Sequence, residues 1–247
     1  MKLNVVITII ISFLFSYNCV AKPILTEEIQ YYYLGSYKAL MGKPKGKGPF
    51  PVIIYSYDEF HDWAGPKLAN KIGYNLKEVA KYFIKKGYIC VIPVDRFRKV
   101  NAIIGIAKYL ERKSYVSKNN IHLIGMSEGA FLNYIATFKY PHFKSMISIG
   151  PIGINDKGYL SLSHNLRINN NSNIPVLFLM IRDVGWRINE QSKVYRLFKT
   201  KFNSVKLITY YKEKRWFWNI NHKYIKDINN FLESQYNLPD GKTKNTY

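Results

Sequence analysis

The sequence predicts a single α/β domain with a mostly parallel central sheet and helices on both of its faces. Two observations predict this class. Short apolar runs alternate with longer segments in which apolar residues recur at helical spacing. One run, Ile121 to Gly125, continues through Met126-Ser127-Glu128-Gly129 straight into such a helical segment. Sheets of this kind bind ligands beyond the carboxyl ends of their strands, so we expect the functional site there.

Length and composition agree with one sizeable domain. The chain has 247 residues, of which 47% are hydrophobic and 21% charged, and we find no internal repeat. Lys and Arg outnumber Asp and Glu by 37 to 16, for a net charge of +21. The lysines are scattered along the chain, so we expect a diffuse charge with weak association to anionic surfaces and no specific nucleic-acid site. The sequence does not predict an oligomeric state.

The first 21 residues have the pattern of an export signal. Lys2 supplies a positive start, Val5 to Phe15 is apolar, and small residues precede a cleavage site after Ala21. This predicts a signal peptide over residues 1–21, a mature domain over residues 22–247, and a periplasmic or secreted protein. An uncleaved N-terminal anchor is the alternative.

Cleavage after Ala21 would remove Cys19 and leave Cys90 as the remaining cysteine. No disulfide could then form within the mature chain, even in an oxidising compartment. Cys90 lies in an apolar run, which predicts a buried core residue.

The predicted strands are the apolar runs, taken in chain order. Residues 26–41 alternate only loosely, which is typical of one or two strands at a sheet edge. The later runs are continuous and rich in β-branched residues, as expected of strands covered on both faces. They span residues 51–55, 88–94, 121–125, 145–149, 175–181 and 205–211.

The predicted helices lie between these runs. Asn75 is a good N-cap for the first of them, and Gly87 ends it. One helix follows Ser127 directly, and the others span residues 75–86, 100–113, 187–200 and 222–232. Residues 42–51, 56–61 and 152–174 are rich in polar residues, Gly or Pro and are predicted to be loops.

The strand, the Gly125-Met126-Ser127-Glu128-Gly129 sequence and the following helix together predict a nucleophile elbow. A sharp turn there crowds the positions two before and two after the serine, and glycine fits because it has no Cβ. We expect Ser127 in a strained conformation with its hydroxyl exposed, beside backbone N–H groups at a helix N-terminus. The alternative is a tight turn that carries an ordinary serine.

Several segments in succession carry a family resemblance. They are Lys43-Pro44-Lys45-Gly46-Lys47-Gly48-Pro49-Phe50-Pro51-Val52-Ile53-Ile54, then Val79-Ala80, Lys86-Gly87-Tyr88, Tyr109-Leu110, Tyr115-Val116, and Ile121 through Gly129. From residue 36 to about residue 232, the chain resembles the α/β-hydrolases, and among them the dienelactone hydrolase-like group. The resemblance implies hydrolysis of esters, lactones or sometimes peptides by a nucleophile, an acid and a histidine, with no cofactor and no metal.

Three positions depart from that group's pattern. Ser56-Tyr57 stand where the group commonly has His-Gly, so the oxyanion hole is expected to differ in shape. Asp183 has no glycine before it and falls about one residue early. Ser127 stands where dienelactone hydrolases proper have a cysteine, which favours an esterase-like or peptidase-like relative.

The resemblance implies a triad in the chain order serine, acid, histidine. Ser127 is the expected nucleophile. His222 is the expected base because it is the one histidine beyond the strand that ends near Asp183, and it precedes the last helix. Asp183 is the expected acid, with Asp156 as the substitute. The alternatives are a surface histidine at a helix start and a helix-capping aspartate.

The expected oxyanion donors are the backbone N–H of Glu128 and that of Tyr57 or Asp58. No role is assigned to the Glu128 side chain. His61 is expected to be a surface polar residue, with substrate contact as the alternative.

Asp58, Glu59 and Asp62 form a carboxylate-rich patch in the sequence, close to a histidine. We expect a solvated loop there, and metal ligation is the alternative.

Together these features predict an exported serine hydrolase that cleaves carboxylic ester or lactone bonds through an acyl-enzyme on Ser127. A serine peptidase on the same fold is one alternative. A catalytically idle hydrolase scaffold that binds a partner through its basic surface is the other. The substrate itself is expected to be a small ester, and the sequence does not name it.

Overall fold

A computed structural model describes residues 28–95, 99–153, 170–182, 185–211 and 222–236, without the side chain of Trp186. Eight strands in this part of the chain form one sheet. They are β1 (Gln30–Leu34), β2 (Tyr37–Gly42), β3 (Phe50–Ser56), β4 (Ile89–Pro93), β5 (Val116–Met126), β6 (Ser145–Ile149), β7 (Val176–Arg182) and β8 (Val205–Tyr211).

The strand order is β1-β2-β4-β3-β5-β6-β7-β8. β1 and β2 pair antiparallel, β2 and β4 also pair antiparallel, and every later pairing is parallel. The register places Ser56 at the end of β3 opposite Gly125 of β5, and Gly125 opposite Ser148 of β6. The carboxyl ends of these three central strands therefore lie at one edge of the sheet, where the site was expected.

Six helices lie in the described residues. They are α1 (Phe60–Lys71), α2 (Leu76–Lys85), α3 (Lys99–Leu110), α4 (Glu128–Lys139), α5 (Gly185–Lys201) and α6 (Tyr224–Tyr236). Asn75 caps α2 as predicted: its side chain accepts a hydrogen bond from the backbone N–H of Lys77 at 2.9 Å.

The two faces of the sheet carry separate cores. Alternate residues of a strand point to opposite faces, so Ile54 of β3 packs with α3, α4 and α5, whereas Ile53 packs with α2 and α6. The predicted α/β class, with helices on both faces of a mostly parallel sheet, is confirmed. Cys90 is buried in β4, as predicted.

The sequence pattern missed one element and misjudged the length of others. Helix α1 was not predicted, because Gly65 interrupts it with φ 77° and ψ 160° and Pro66 follows inside it. That break hides helical periodicity, although proline is well tolerated at the start of the second segment. β5 begins at Val116, five residues before the predicted strand, and α3 ends at Leu110 rather than near residue 113.

Residues 26–41 contain two strands, and β2 is an inner strand rather than an edge strand, because it lies between β1 and β4. The predicted signal peptide lies outside the described residues, as does most of the predicted loop at 152–174. No helix in the described ranges combines the length and the apolar character needed to cross a membrane.

Candidate active site

Ser127 occupies the turn between β5 and α4 with a strained backbone. Its φ is 54° and its ψ is −117°, and it is alone among the described non-glycine residues in having a positive φ. Such a conformation costs on the order of 1–3 kcal/mol and persists where the surrounding structure enforces it. Here the Ser127 N–H donates to the Ile149 carbonyl of β6 at 2.9 Å. The predicted strained elbow is present.

Both glycines of the elbow are required by close packing. A Cβ on Gly125 would lie 2.5 Å from the Ala130 nitrogen. A Cβ on Gly129 would lie 2.7 Å from the Tyr57 carbonyl oxygen and closer still to that of Ser56. The start of α4 is therefore pressed against the backbone that leaves β3. Ser127 and the predicted oxyanion loop meet at this edge because only glycine allows the approach.

The Ser127 hydroxyl is not exposed, and that expectation was wrong. The residue is 1% exposed, and its Oγ has no hydrogen-bond partner in the part of the chain that the structure describes. Leaving a buried hydroxyl unpaired is unfavourable for folding. The helix α4 begins at the next residue, and the Ala130 N–H of its first turn donates to the Ser127 carbonyl at 3.2 Å. The elbow thus keeps the hydroxyl at the start of a helix and away from bulk water.

The loop after β3 distinguishes the two candidate oxyanion donors. The backbone N–H of Asp58 donates to the Tyr74 hydroxyl at 2.9 Å, and an Asp58 carboxylate oxygen accepts from the Phe60 N–H at 2.8 Å. Asp58 is 2% exposed, so this arrangement is well enclosed. The Asp58 amide is therefore already used within the protein, and Tyr57 is the other predicted second donor beside Glu128.

His61, Asp58 and Asp62 are not solvated, and for them the expectation was wrong, whereas Glu59 is exposed as expected. His61 is buried in the first turn of α1, with its ring 5.1 Å from that of Tyr57 and 5.9 Å from that of Tyr74. Burial lowers the pKa of His61, and Asp62 partly opposes this. Helix α1 turns this segment inward, and the sequence pattern had not predicted that helix.

A contact among three charged side chains beside Ser127 was not predicted from the sequence. The Lys99 ammonium at the start of α3 lies 2.7 Å from a Glu128 carboxylate oxygen and 2.9 Å from one of Asp62. The Glu128 side chain, which had been given no role, is thus half of a buried ion pair. The three residues come from three separate helices, so no local spacing in the sequence could have revealed the contact.

The charges in this cluster alter one another. Burial raises the pKa of the Glu128 carboxyl, Lys99 opposes that rise, and the carboxylates of Glu59 and Asp58 add to it. Burial alone would lower the pKa of Lys99, but Glu128 and Asp62 outweigh it and raise the pKa of the ammonium. Lys99 therefore stays charged while two carboxylates share it.

The acid strand is held in place just before the predicted acid. The Gln191 amide of α5 accepts from the Ile181 N–H and donates to the Ile181 carbonyl, each at 2.7 Å. β6 pairs with β7 only as far as Leu179, so the Gln191 amide bonds the backbone of Ile181 beyond that pairing. Asp183 and its substitute Asp156 lie outside the described residues, and their roles stay predictions.

His222 lies two residues before α6, the helix that follows β8. Its ring stacks on the buried Tyr224 ring with centroids 5.1 Å apart, and its carbonyl accepts from the Ile225 N–H. The Tyr210 hydroxyl of β8 donates to Asp227, which ties the start of α6 to the sheet.

The His222 side chain borders a groove of about 520 Å³ between α2 and α6, and no residue of the elbow lines that groove. The structure thus brings Ser127, Glu128, Tyr57 and Asp58 together, and its described contacts do not join His222 to them. Of the remaining histidines that the structure describes, His142 is exposed and His122 is buried within β5. Within the described ranges, no cluster of three or more His, Cys, Asp or Glu residues is arranged to hold a metal ion.

No family model matches the sequence, and no curated protein matches it. Several solved structures match its fold. An esterase from the bacterial hormone-sensitive lipase family superposes with a TM-score of 0.64 at 14% identity, over 91% of this chain and 88% of that one. Dienelactone hydrolase from Anabaena variabilis gives 0.59 at 10% identity, over 87% and 98%.

Dipeptidyl peptidase 4 from Porphyromonas gingivalis also superposes, with a TM-score of 0.59 at 14% identity. The match covers 87% of this chain and 36% of that longer chain. The chain therefore has the α/β-hydrolase fold, and the resemblance to dienelactone hydrolases and esterases holds at the level of structure. At these identities the likeness establishes the fold and leaves the reaction to be argued from the site.

Proposed function

We propose that this protein is a serine hydrolase that cleaves carboxylic ester or lactone bonds through an acyl-enzyme on Ser127. The observation that carries the proposal is the backbone of Ser127. A non-glycine residue with φ 54° stands between a parallel strand and a helix, with a glycine on each side that admits no Cβ. This geometry places the serine directly before the N-terminus of α4, where negative charge is stabilised.

In the proposed mechanism, His222 removes the proton from the Ser127 hydroxyl while Oγ attacks the acyl carbonyl. Asp183 orients the imidazole and stabilises the imidazolium that forms. The amides of Glu128 and Tyr57 donate to the oxyanion of the tetrahedral intermediate. Its collapse releases the alcohol, which takes the proton from His222. His222 then removes a proton from water, the water oxygen attacks the acyl-enzyme, and His222 returns the proton to Ser127 Oγ as the acid is released. No cofactor or metal enters the reaction.

Two further functions compete with this one. Burial of the Ser127 hydroxyl favours a catalytically idle scaffold that binds a partner, since a substrate reaches Oγ only after whatever covers it moves. The similarity to a dipeptidyl peptidase favours a peptidase on the same fold. That neighbour is much longer than this chain, so we rank the peptidase below the esterase.

One experiment separates the three. Wild type and Ser127→Ala are each treated with a fluorophosphonate and weighed intact, and both are assayed on p-nitrophenyl esters of rising acyl length and on a peptide panel. We expect one adduct and ester hydrolysis in the wild type, and neither in the variant. Absence of both in the wild type would leave the idle scaffold, and cleavage confined to peptides would establish the peptidase.

We further propose that residues 1–21 are an export signal and that the mature protein is periplasmic or secreted. The support is the apolar stretch behind Lys2 and the small residues before position 22. Intact mass of the protein recovered outside the cytoplasm tests this, and a mass that includes residues 1–21 would indicate the uncleaved anchor instead.

The net charge of +21 supports weak, salt-sensitive association with anionic surfaces and no specific nucleic-acid partner.

A further inference from the structure

Lys99 sits between two carboxylates at the edge of the candidate active site. Its ammonium is 2.7 Å from Glu128 and 2.9 Å from Asp62. The side chains of all three are largely buried, with 18% of Lys99, 14% of Asp62 and 9% of Glu128 exposed. Exposed ion pairs contribute little to folding stability. Removing one partner of a buried ion pair is strongly destabilising, because it leaves an uncompensated buried charge.

Each of the two carboxylates is connected to one of the two residues proposed as oxyanion donors. Glu128 is itself one donor residue, through its backbone N–H. Asp62 accepts a hydrogen bond from the Tyr57 hydroxyl at 2.7 Å, and Tyr57 is the other donor residue. The Tyr57 ring also lies under the Lys99 ammonium, with 5.8 Å between the nitrogen and the ring centroid. The Lys99 ammonium thus contacts Glu128 directly and is linked to Tyr57 through Asp62, so it is connected to both proposed donor residues.

The charges also matter for the reaction. Glu128 follows Ser127 directly, so an uncompensated carboxylate there would oppose the negative charge that forms on the substrate. Asp62 faces the same ammonium, and the carboxylates of Asp58 and Glu59 act on Glu128 as well. Among these groups Lys99 is the cation that contacts Glu128 and Asp62.

We propose that Lys99 is a positioning residue for the oxyanion hole. It fixes the backbone of Glu128 and, through Asp62, that of Tyr57, and it neutralises the carboxylate next to the nucleophile. This inference rests on the proposed function and deepens it. It identifies the residue that keeps the oxyanion hole in shape in a chain that has Ser56-Tyr57 where dienelactone hydrolase-like proteins commonly have His-Gly.

The test compares Lys99→Met with the double variant Lys99→Met/Glu128→Gln. Activity is expressed per site titrated with fluorophosphonate, so that loss of folded protein does not count. We expect Lys99→Met to lower kcat on the order of 10-fold to 100-fold with little change in KM, because the hole is used in the transition state. Its kcat should also fall as pH rises, since Glu128 ionises without a partner.

The double variant should remove that fall with pH and recover part of kcat, because glutamine keeps the shape of Glu128 without its charge. Lys193→Met is the matched control: it breaks a lysine–glutamate pair of 2.8 Å on the exposed surface of α5 and should match the wild type. A merely structural role for Lys99 would lower the thermal midpoint and leave the pH profile per titrated site unchanged.

Three outcomes overturn the inference. One is a Lys99→Met enzyme whose kcat per site is within about twofold of wild type with the same pH profile. Another is a double variant no better than Lys99→Met at any pH. The third is a wild-type protein that fluorophosphonate does not label at Ser127, which would overturn the proposed function and this inference with it. Normal wild-type labelling with unchanged Lys99→Met kinetics would overturn the inference alone.

Discussion

The two ends of the central sheet bury polar groups in different ways. At the amino end, His122 lies among the rings of Tyr88 and Tyr236, and its Nδ1 is 2.8 Å from the Ser145 hydroxyl. At the carboxyl end, the buried groups include charged residues around a strained Ser127. Each end has one buried atom without a hydrogen-bond partner among the described residues: His122 Nε2 at the amino end and Ser127 Oγ at the carboxyl end.

The difference is in charge and strain. Burial lowers the pKa of His122 to about 3, and Lys144 adds to this effect, so the imidazole is neutral at ordinary pH. No described non-glycine residue at this end has a positive φ. The carboxyl end keeps an ammonium, two carboxylates and a disfavoured backbone conformation together, at a cost in folding free energy. An unpaired buried atom alone therefore does not mark a site here. The combination of an unpaired hydroxyl, backbone strain and buried charge distinguishes the candidate site at the carboxyl end.

The largest expected effect separates chemistry from stability at the carboxyl end. His222→Ala should lower kcat on the order of 10⁴-fold, about as much as loss of Ser127, because triad members act as one unit. Asp183→Asn should cost less, since the acid orients the base and does not transfer a proton. Urea unfolding midpoints should stay close to wild type for both variants. Steady-state kinetics on one ester substrate and urea titration give the two measurements.

Asp156→Asn is the matched comparison for the acid. A crippled Asp156→Asn beside a nearly normal Asp183→Asn would show that the acid belongs to the segment after β6 rather than to the end of β7. Equal, small losses in both would remove the carboxylate from the mechanism altogether.

The sequence predicted the strands and the elbow better than it predicted the side-chain contacts around them. Strands β6 and β8 have the predicted bounds, and the elbow was predicted because two glycines and one serine form a local pattern. Lys99, Asp62 and Glu128 form no such pattern, since they meet only after three helices have packed. The burial of His61 was missed for a related reason, because Gly65 and Pro66 concealed the helix that turns it inward.

The second expected effect concerns stability alone and belongs to the amino end. Folding lowers the pKa of His122 from 6.5 to about 3, so the unfolded chain binds this proton more readily. Stability should therefore fall as pH drops from 6.5 towards 3, by about 2 kcal/mol between pH 6.5 and pH 5 from this residue. His122→Leu/Ser145→Ala removes both polar partners together and should lack that part of the acid sensitivity.

Urea unfolding of the wild type and the double variant at both pH values measures the difference, and carboxylates common to both proteins cancel. Ester hydrolysis above pH 6.5 should be unchanged in the variant. Parallel loss of stability with acid in the two proteins would show that His122 is not the source, and a drop in kcat would break the proposed separation of the two ends.

The smallest expected effect measures the strain at Ser127 directly. With φ at 54°, Ser127→Ala keeps the disfavoured backbone, whereas Ser127→Gly relieves it. Glycine also gives the unfolded chain more freedom, at about 0.5–1 kcal/mol, against relief of about 1–3 kcal/mol of strain, so Ser127→Gly should be the more stable of the two by about 1 kcal/mol. Ser145 provides the matched pair at the amino end, because it lies in β6 without a positive φ. There the order should reverse, with Ser145→Gly less stable than Ser145→Ala, since no strain offsets the entropy of glycine. Urea midpoints of the four variants decide it: the same order at both serines would mean that the elbow stores no strain and that its distinctive backbone is an ordinary turn.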